Sequence, residues 1–327
     1  MSEVIQLQPN HADHISGYRL EYLEKMFKEE PVIAQPKYDG ERMLVHFVGD
    51  KVFCTSRRIS KKTGEFTRLE DKLPQLLQSY SQNSSLQYTV LDCECYARNW
   101  SESASVLHSL PERAIELQKT IQIKFAVFDC LYANGQDIRS DKYIDRLLQA
   151  AKTVQALDIP GMHLASFMDE NFSVNSYTKT SFINSFDEAM TCMQNAIDAG
   201  YEGVVVKSLV RAYYDKAASL KCKKFETVDV VVCDYKPGTG KYADTVGALI
   251  VGYYDNGNIV PIARVNCGTD ADRNMWRDNW NELKGTVLEV KCQEITGRSL
   301  RHPVYIRQRL DKNASDCTKE TIFKEDV

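Results

Sequence analysis

The apolar residues of this chain arrive in short runs punctuated by turn residues, and that rhythm limits what it can fold into. VIAQPK (32–37), RMLVHFV (42–48) and KVFCTS (51–56) read as strands, the last two joined by a Gly49-Asp50 turn. YTVLDCEC (88–95), IQIKFAVFDCLY (121–132), MHLASF (162–167), EGVVVK (202–207) and SLKCKKF (219–225) are further buried-strand runs. Between them 101–118, 141–157 and 184–199 carry helical spacing, as Ile144, Leu147, Leu148 and Ala151 illustrate, and 11–28 reads as a short leading helix. Strands and helices mixed in this way define an α+β domain of packed sheets.

From about residue 228 the rhythm changes. VDVVVCDY, GALIVGYYDNGNIVPIARV with its Asn256-Gly257 hairpin signal, TVLEVKC and HPVYIRQRL read as strands, interrupted by one helical stretch at 270–284. That is the composition of a small β-barrel, OB-like, with one inserted helix. At 327 residues there is chain for two domains with their own cores. The division expected is a helical N-terminal extension over 1–30, an α+β domain over 31–226, a barrel over 227–313 and a weakly ordered tail over 314–327. No apolar stretch reaches the roughly 18 residues of a membrane span, and MSEVIQLQPNHADH lacks the basic-then-apolar pattern of a signal peptide. A soluble protein that stays in the cytoplasm, or in a nuclear or viral replication compartment, is expected.

Ten cysteines show no C-x-x-C pair and no histidine at zinc spacing, so they read as core fillers of a reducing compartment. Forty-one Lys plus Arg against 45 Asp plus Glu give a net charge of -4, which offers nucleic acid no overall attraction. Three segments nevertheless concentrate positive charge: 57–68, 207–224 and 298–312. They are either solvated faces or parts of a polyanion site.

The segment Lys37-Tyr38-Asp39-Gly40-Glu41-Arg42 decides between these. A strand ends at a lysine and turns through Asp-Gly into an arginine. A lysine there can act as a nucleophile if its amine is neutral, and Arg42 is suited to a phosphate or ribose. K-x-D-G-x-R fixes four positions, a pattern that chance would supply in only roughly a few such chains per thousand. Two later features carry chemistry of their own. Glu94 and Glu202 end or begin buried strands, where Mg²⁺ or ribose hydroxyls would supply a missing partner, though salt bridges to lysine would also serve. Lys221 and Lys223 lie two apart in a strand, so both ammonium groups share one face and could neutralise an α-phosphate. Leu220 and Cys222 alternate inward, as a half-buried strand requires.

These residues resemble the covalent nucleotidyltransferases, and specifically the ATP-dependent DNA ligases. The likeness extends through five more segments in the family's order: Leu91-Asp92-Cys93-Glu94, Phe125 to Asp129, Glu202 to Lys207, Leu220 to Lys224, and Arg301-His302-Pro303 with Arg307, Arg309, Asp311 and Lys312. It spans about residue 31 to 312. It implies an adenylation domain of packed antiparallel sheets followed by an OB-fold domain, ATP and Mg²⁺ as cofactors, and nicked double-stranded DNA as partner. It implies that Lys37 forms a phosphoramidate with AMP and that Phe128 stacks on adenine. Glu94 and Glu202 then serve the metal, Lys221 and Lys223 the α-phosphate, and Arg307 and Lys312 the departing pyrophosphate. Arg57 follows Thr55-Ser56 as a phosphate contact, although Ser-Arg-Arg leaves the register open between Arg57 and Arg58.

Gln35 stands where family members commonly have Glu. An amide can accept from an amine or donate to a carbonyl, so Gln35 does not by itself choose adenine over guanine. The resemblance further implies a minimal enzyme of the phage, viral and small bacterial type, acting as a monomer. The alternatives are an mRNA-capping guanylyltransferase, an RNA ligase, or a non-catalytic nucleic-acid-binding protein on the same scaffold.

Overall fold

The computed structural model describes residues 5–81, 86–166 and 182–323. It consists of two compact units, Met1–Lys223 and Lys224–Val327. In the first, β1 (Asp13–His14) and α1 (Leu20–Glu29) precede β2 (Val32–Lys37), β3 (Glu41–Gly49), β4 (Lys51–Ile59) and β5 (Phe66–Arg68). Then come α2 (Pro74–Ser81), β6 (Leu86–Tyr96), α3 (Trp100–Leu107), α4 (Pro111–Leu117) and β7 (Lys124–Ala133). β8 (Gln136–Asp137), α5 (Tyr143–Leu157), β9 (Met162–Leu164), β10 (Phe182–Ile183), α6 (Phe186–Asp198), β11 (Gly203–Ser208) and β12 (Ser219–Lys223) complete it.

Two sheets result, one ordered β1-β12-β11-β2-β10 and the other β5-β4-β3-β6-β7-β8, with β9 parallel to β7. Period-two alternation gives each sheet one apolar face. Val32, Ala34, Val204, Val206, Leu220 and Cys222 of the first sheet pack against Leu23, Met26 and Phe27 of α1 and Ala189 and Ala196 of α6. Met43, Val45, Phe47, Leu91, Cys93, Phe125 and Val127 of the second pack against Leu76, Val106, Leu107 and Ala114 of α2 to α4. The faces not covered by these helices carry smaller clusters. Tyr143 and Leu147 of α5 cluster with Ile33 of the first sheet and with Leu209, and Leu44, Val90 and Leu131 of the second sheet cluster with Leu7 and Tyr213.

Local chemistry explains where expected and observed elements differ. The stretch 101–118 forms two helices because Pro111 forces Leu110 into an extended conformation (ψ 154°). The leading stretch 11–28 is helical only over its second half, since Asp13 and His14 pair with Leu220 and Lys221 and a 3₁₀ turn follows at Ile15–Gly17. Of MHLASF, residues 162–164 are strand, and Phe167 lies outside the described residues. All ten thiols are free, eight of them buried.

The second unit contains β13 (Glu226–Pro237), β14 (Val246–Asp255), β15 (Asn258–Val265), α7 (Asp270–Asp278), α8 (Trp280–Leu283), β16 (Val287–Cys292), β17 (Glu294–Thr296), β18 (Ser299–Arg301), β19 (Val304–Arg309) and α9 (Lys319–Phe323). Its main sheet is antiparallel in the order β15-β14-β13-β16-β19, and β17 and β18 form a separate hairpin. Trp276 of α7 is fully buried in its core. The segment after 313 departs from the expected weakly ordered tail. Cys317 is buried beside Val231 and Val287, and Ile322 joins the core around Trp276, so apolar contacts pin the segment down. No helix among the described residues is long and apolar enough to cross a membrane.

Candidate active site

The register of β2, β11 and β12 sets three rows across the face of the first sheet opposite α1 and α6: Lys37, Gly203 and Lys223; Gln35, Val205 and Lys221; Ile33, Lys207 and Ser219. Two glycines of the sequence motifs are required by close approach. A Cβ on Gly40 would lie 2.3 Å from the Cys95 carbonyl oxygen. At Gly203, where φ is +147°, it would lie 2.3 Å from that of Cys222. Because β6 passes directly beneath the turn after Lys37, only glycine fits at position 40.

Lys37 donates to Oε2 of Glu202, and Lys223 donates to Oε1 of the same carboxylate at 3.0 Å. Glu94 reaches this group from the second sheet, where it pairs in register with Arg42. Burial pushes its carboxyl up to about 7, against the opposing pull of Lys37 and Arg42, while Glu202 and Glu41 add to the rise. Lys221 is lowered by burial and by the neighbouring charges of Lys223 and Lys37. Lys37, Glu94, Glu202, Lys221 and Lys223 thus form one electrostatic cluster. Among the described residues no three His, Cys, Asp or Glu side chains gather as metal ligands, and the carboxylates that act on one another in this cluster are Glu94, Glu202 and Glu41.

Gln35 is 1% exposed, and neither its Oε1 nor its Nε2 has a hydrogen-bond partner. Leaving a buried amide unpaired costs about 1–3 kcal/mol for each polar group. Its place one row behind Lys37 gives that cost a purpose, because a polar ligand edge in the cleft would satisfy both atoms.

Arg42 is committed within the protein. Its guanidinium grips Asp92 through Nε at 2.9 Å and Nη2 at 2.6 Å, and also bonds the Asn10 carbonyl and the Tyr213 hydroxyl. Arg57 shares the strand face of Thr55, which is paired with Leu44, whereas Arg58 turns the other way to Glu41 at 3.3 Å. His11 is lowered first by burial and then by the charges of Arg42, Arg57 and Lys221. The first two basic segments therefore meet on this side of the unit. In the second unit Arg307 pairs with Glu289 at 2.5 Å, and Lys312 and Arg309 share Asp229 at 2.5 and 3.1 Å.

Phe128 is not an ordinary strand residue. Asp92 pairs with Asp129 and Cys93 with Val127, so Phe128 is the extra residue of a β-bulge. Behind it lies the last residue of the segment Glu202 to Lys207, to which the sequence alone assigns no role. Lys207, 5% exposed, sits 4.5 Å from the centroid of the Phe128 ring, and burial lowers its ammonium to about 7. Strand parity held the signal, because Lys207 lies two residues beyond Val205 and must share its face.

The model of the ATP-dependent DNA ligase domain matches residues 18–224, and the chain belongs to that family. A DNA ligase of Natronomonas pharaonis is 24% identical over 86% of this chain and 52% of its own length. One of Nitrosopumilus maritimus is 26% identical over 95% of the chain and 58% of its own. The chain thus spans about half the length of the curated relatives it matches. Among solved structures, Pmar-Lig_PreS3 superposes with a TM-score of 0.68 at 20% identity, over 91% of this chain and 67% of that one. A Lig E DNA ligase, described as binding DNA with a minimal scaffold, gives 0.62 at 14% identity over 93% and 100%. The shared fold is the mixed α+β ligase fold.

Proposed function

We propose that this chain is an ATP-dependent DNA ligase that seals 5′-phosphate/3′-hydroxyl nicks in duplex DNA through AMP carried on Lys37. The observation that carries this reading is the pairing of two features on one strand face: a lysine held by Glu202, the carboxylate that Lys223 also binds, and one row behind it a buried amide with no partner. A nucleotide with its base at Gln35 and its α-phosphate at Lys37 satisfies both.

In the first step the Lys37 amine, released from Glu202 and with its proton given up to solvent, attacks the α-phosphorus. A nitrogen–phosphorus bond forms, the bond to the bridging oxygen breaks, and pyrophosphate leaves with that electron pair. Lys221 and Lys223 hold the charge that accumulates on the α-phosphate, and Phe128 and Val205 flank the base. Glu94 and Glu202 fit Mg²⁺: two carboxylates plus substrate phosphates are its usual ligands, and burial has already left Glu94 short of positive charge. When bound, the ion would supply positive charge to the phosphates. AMP then moves to the 5′-phosphate of the nick as its bond to Lys37 breaks, and the 3′-hydroxyl displaces it.

The second unit serves in this reading as the OB-fold domain over about 227–313, contributing Arg307 and Lys312 to departure of the pyrophosphate and its barrel to DNA binding. Arg57 and Arg42 belong to the phosphate-facing side of the site, Arg42 by holding Asp92 and the cleft wall in place. Sealing of a 5′-labelled nicked duplex in ATP and Mg²⁺ tests the reading. Wild type should join the strands and Lys37→Ala should not, with DNA retention preserved. Joining by Lys37→Ala from an unadenylated nick contradicts it.

A further inference from the structure

Lys207 is an expensive residue in its position. It is 5% exposed, and among the described residues it forms no ion pair, since the nearby carboxylates are taken: Asp92 by Arg42 and Asp129 by Arg146. An apolar side chain of similar length would fill the same space without desolvating an amine. What the amine does is specific. It donates to the backbone carbonyl of Phe128 at 3.2 Å and to the Tyr143 hydroxyl at 3.2 Å. That hydroxyl donates to the same Phe128 carbonyl at 2.7 Å. Lys207 also lies 4.5 and 4.6 Å from the ring centroids of Phe128 and Tyr143.

All these contacts converge on one bulged residue. A bulge leaves its extra residue outside the ladder and free to reorient, so its side-chain direction depends on what holds its peptide. Tyr143 opens α5 and is buried with Leu147 against Ile33 and Leu209, so its hydroxyl is held from a packed element. We infer that Lys207 and Tyr143 form a positioning pair that fixes the Phe128 ring as the stacking platform for a purine base. Lys207 thereby acts on nucleotide affinity through Phe128 and takes no part in the chemistry at Lys37. The inference rests on the proposed nucleotide reading and names residues that this reading does not use.

The test is single-turnover transfer of label from α-labelled ATP to the 327-residue chain across an ATP titration, with Lys207→Met, Tyr143→Phe and Phe128→Ala. Lys207→Met should raise the half-saturating ATP concentration about tenfold, with the saturating rate held within about twofold. Tyr143→Phe, which removes only a hydroxyl, should raise it by about threefold and keeps the question open to decision if Lys207→Met does not fold. Two readouts separate positioning from a general structural role. In the Phe128→Ala background neither substitution should add to the loss, because contacting residues are non-additive. In the reverse reaction of the adenylated protein, half-saturation by inorganic pyrophosphate should not move, since pyrophosphate does not touch the ring.

An unchanged ATP requirement in folded Lys207→Met or Tyr143→Phe overturns the inference, as does an additive loss in the Phe128→Ala background. A collapse of the saturating rate alone would place Lys207 in the chemistry instead and equally overturn it. Absence of label from wild type is a different result, which would remove the nucleotide reading itself.

Discussion

Lys37 and Lys223 share one carboxylate, that of Glu202, with one ammonium on each oxygen. As the proposed nucleophile, Lys37 is held in this contact until something else claims the carboxylate. Binding of a cation and a triphosphate would do so, and arming of the amine is thereby coupled to arrival of substrate. Glu202→Ala should lower the saturating rate of adenylylation by about 10²–10³, the range of one preorganised electrostatic contact. A loss of under about tenfold would show that Glu202 is a structural salt bridge only.

Glu94 makes stability depend on pH. Its folded carboxyl, pushed up to about 7 by burial, lies above the unfolded value of 4.5. Below 4.5 both states are protonated, and above about 7 both are ionised, so stability falls as pH rises through that window. Glu94→Gln should abolish the slope and stabilise the protein at pH 8 by about 1–3 kcal/mol while abolishing adenylylation. Identical pH dependence of the unfolding midpoint in variant and wild type would contradict this.

Gln35 presents a donor and an acceptor together, and both are buried without partners. Such an amide can meet the amine and ring nitrogen of adenine or, turned over, the carbonyl and ring N–H of guanine. Wild type should therefore take label measurably from GTP as well as from ATP. Gln35→Glu, which can only accept, should favour ATP over GTP by about a further tenfold in kcat/KM. A shift toward GTP would mean that the amide does not face the base.

Arg146 and Asp129 form a bidentate pair at 2.9 and 3.0 Å, almost fully buried behind the Phe128 bulge. Arg146→Leu leaves a buried carboxylate alone and should destabilise by about 3–5 kcal/mol in urea unfolding. The double change with Asp129→Leu should cost less than Arg146→Leu by itself. Equal or greater damage in the double variant would show that packing, and not the unpaired charge, sets the cost.

Ile322 ties the chain after residue 313 to the core of the second unit. Ile322→Ala should destabilise that unit by about 2–4 kcal/mol, the usual cost of emptying a buried aliphatic site. An unchanged unfolding midpoint would mean that the segment contributes no stability.

Much of this was legible from alternation. VIAQPK is a strand over its full expected span, and Leu220 and Cys222 are buried while Lys221 and Lys223 share the other face. Such features depend on two-residue periodicity, which a single strand carries within itself. What escaped depends on partners distant in sequence. Gly40 is required by Cys95, Arg42 is neutralised by Asp92, and Phe128 becomes a bulge only through the register that β6 imposes on β7. Ile322 is one apolar residue in a polar stretch, and nothing local shows that a core awaits it. Lys207 closes the segment Glu202 to Lys207 and opens a basic run, and neither tells that its strand parity brings it to the face of Gln35 and Lys37 and to Phe128.

The central claim is that Lys37 carries AMP, and the direct measurement is to incubate the chain with α-labelled ATP and Mg²⁺, denature it, and map the labelled peptide. The protein is treated first with pyrophosphate so that any AMP already bound is released. The account predicts label on the peptide containing Lys37, absent in Lys37→Ala and removed again by pyrophosphate before denaturation. Label on another residue, or none on the pyrophosphate-treated wild type, would contradict it.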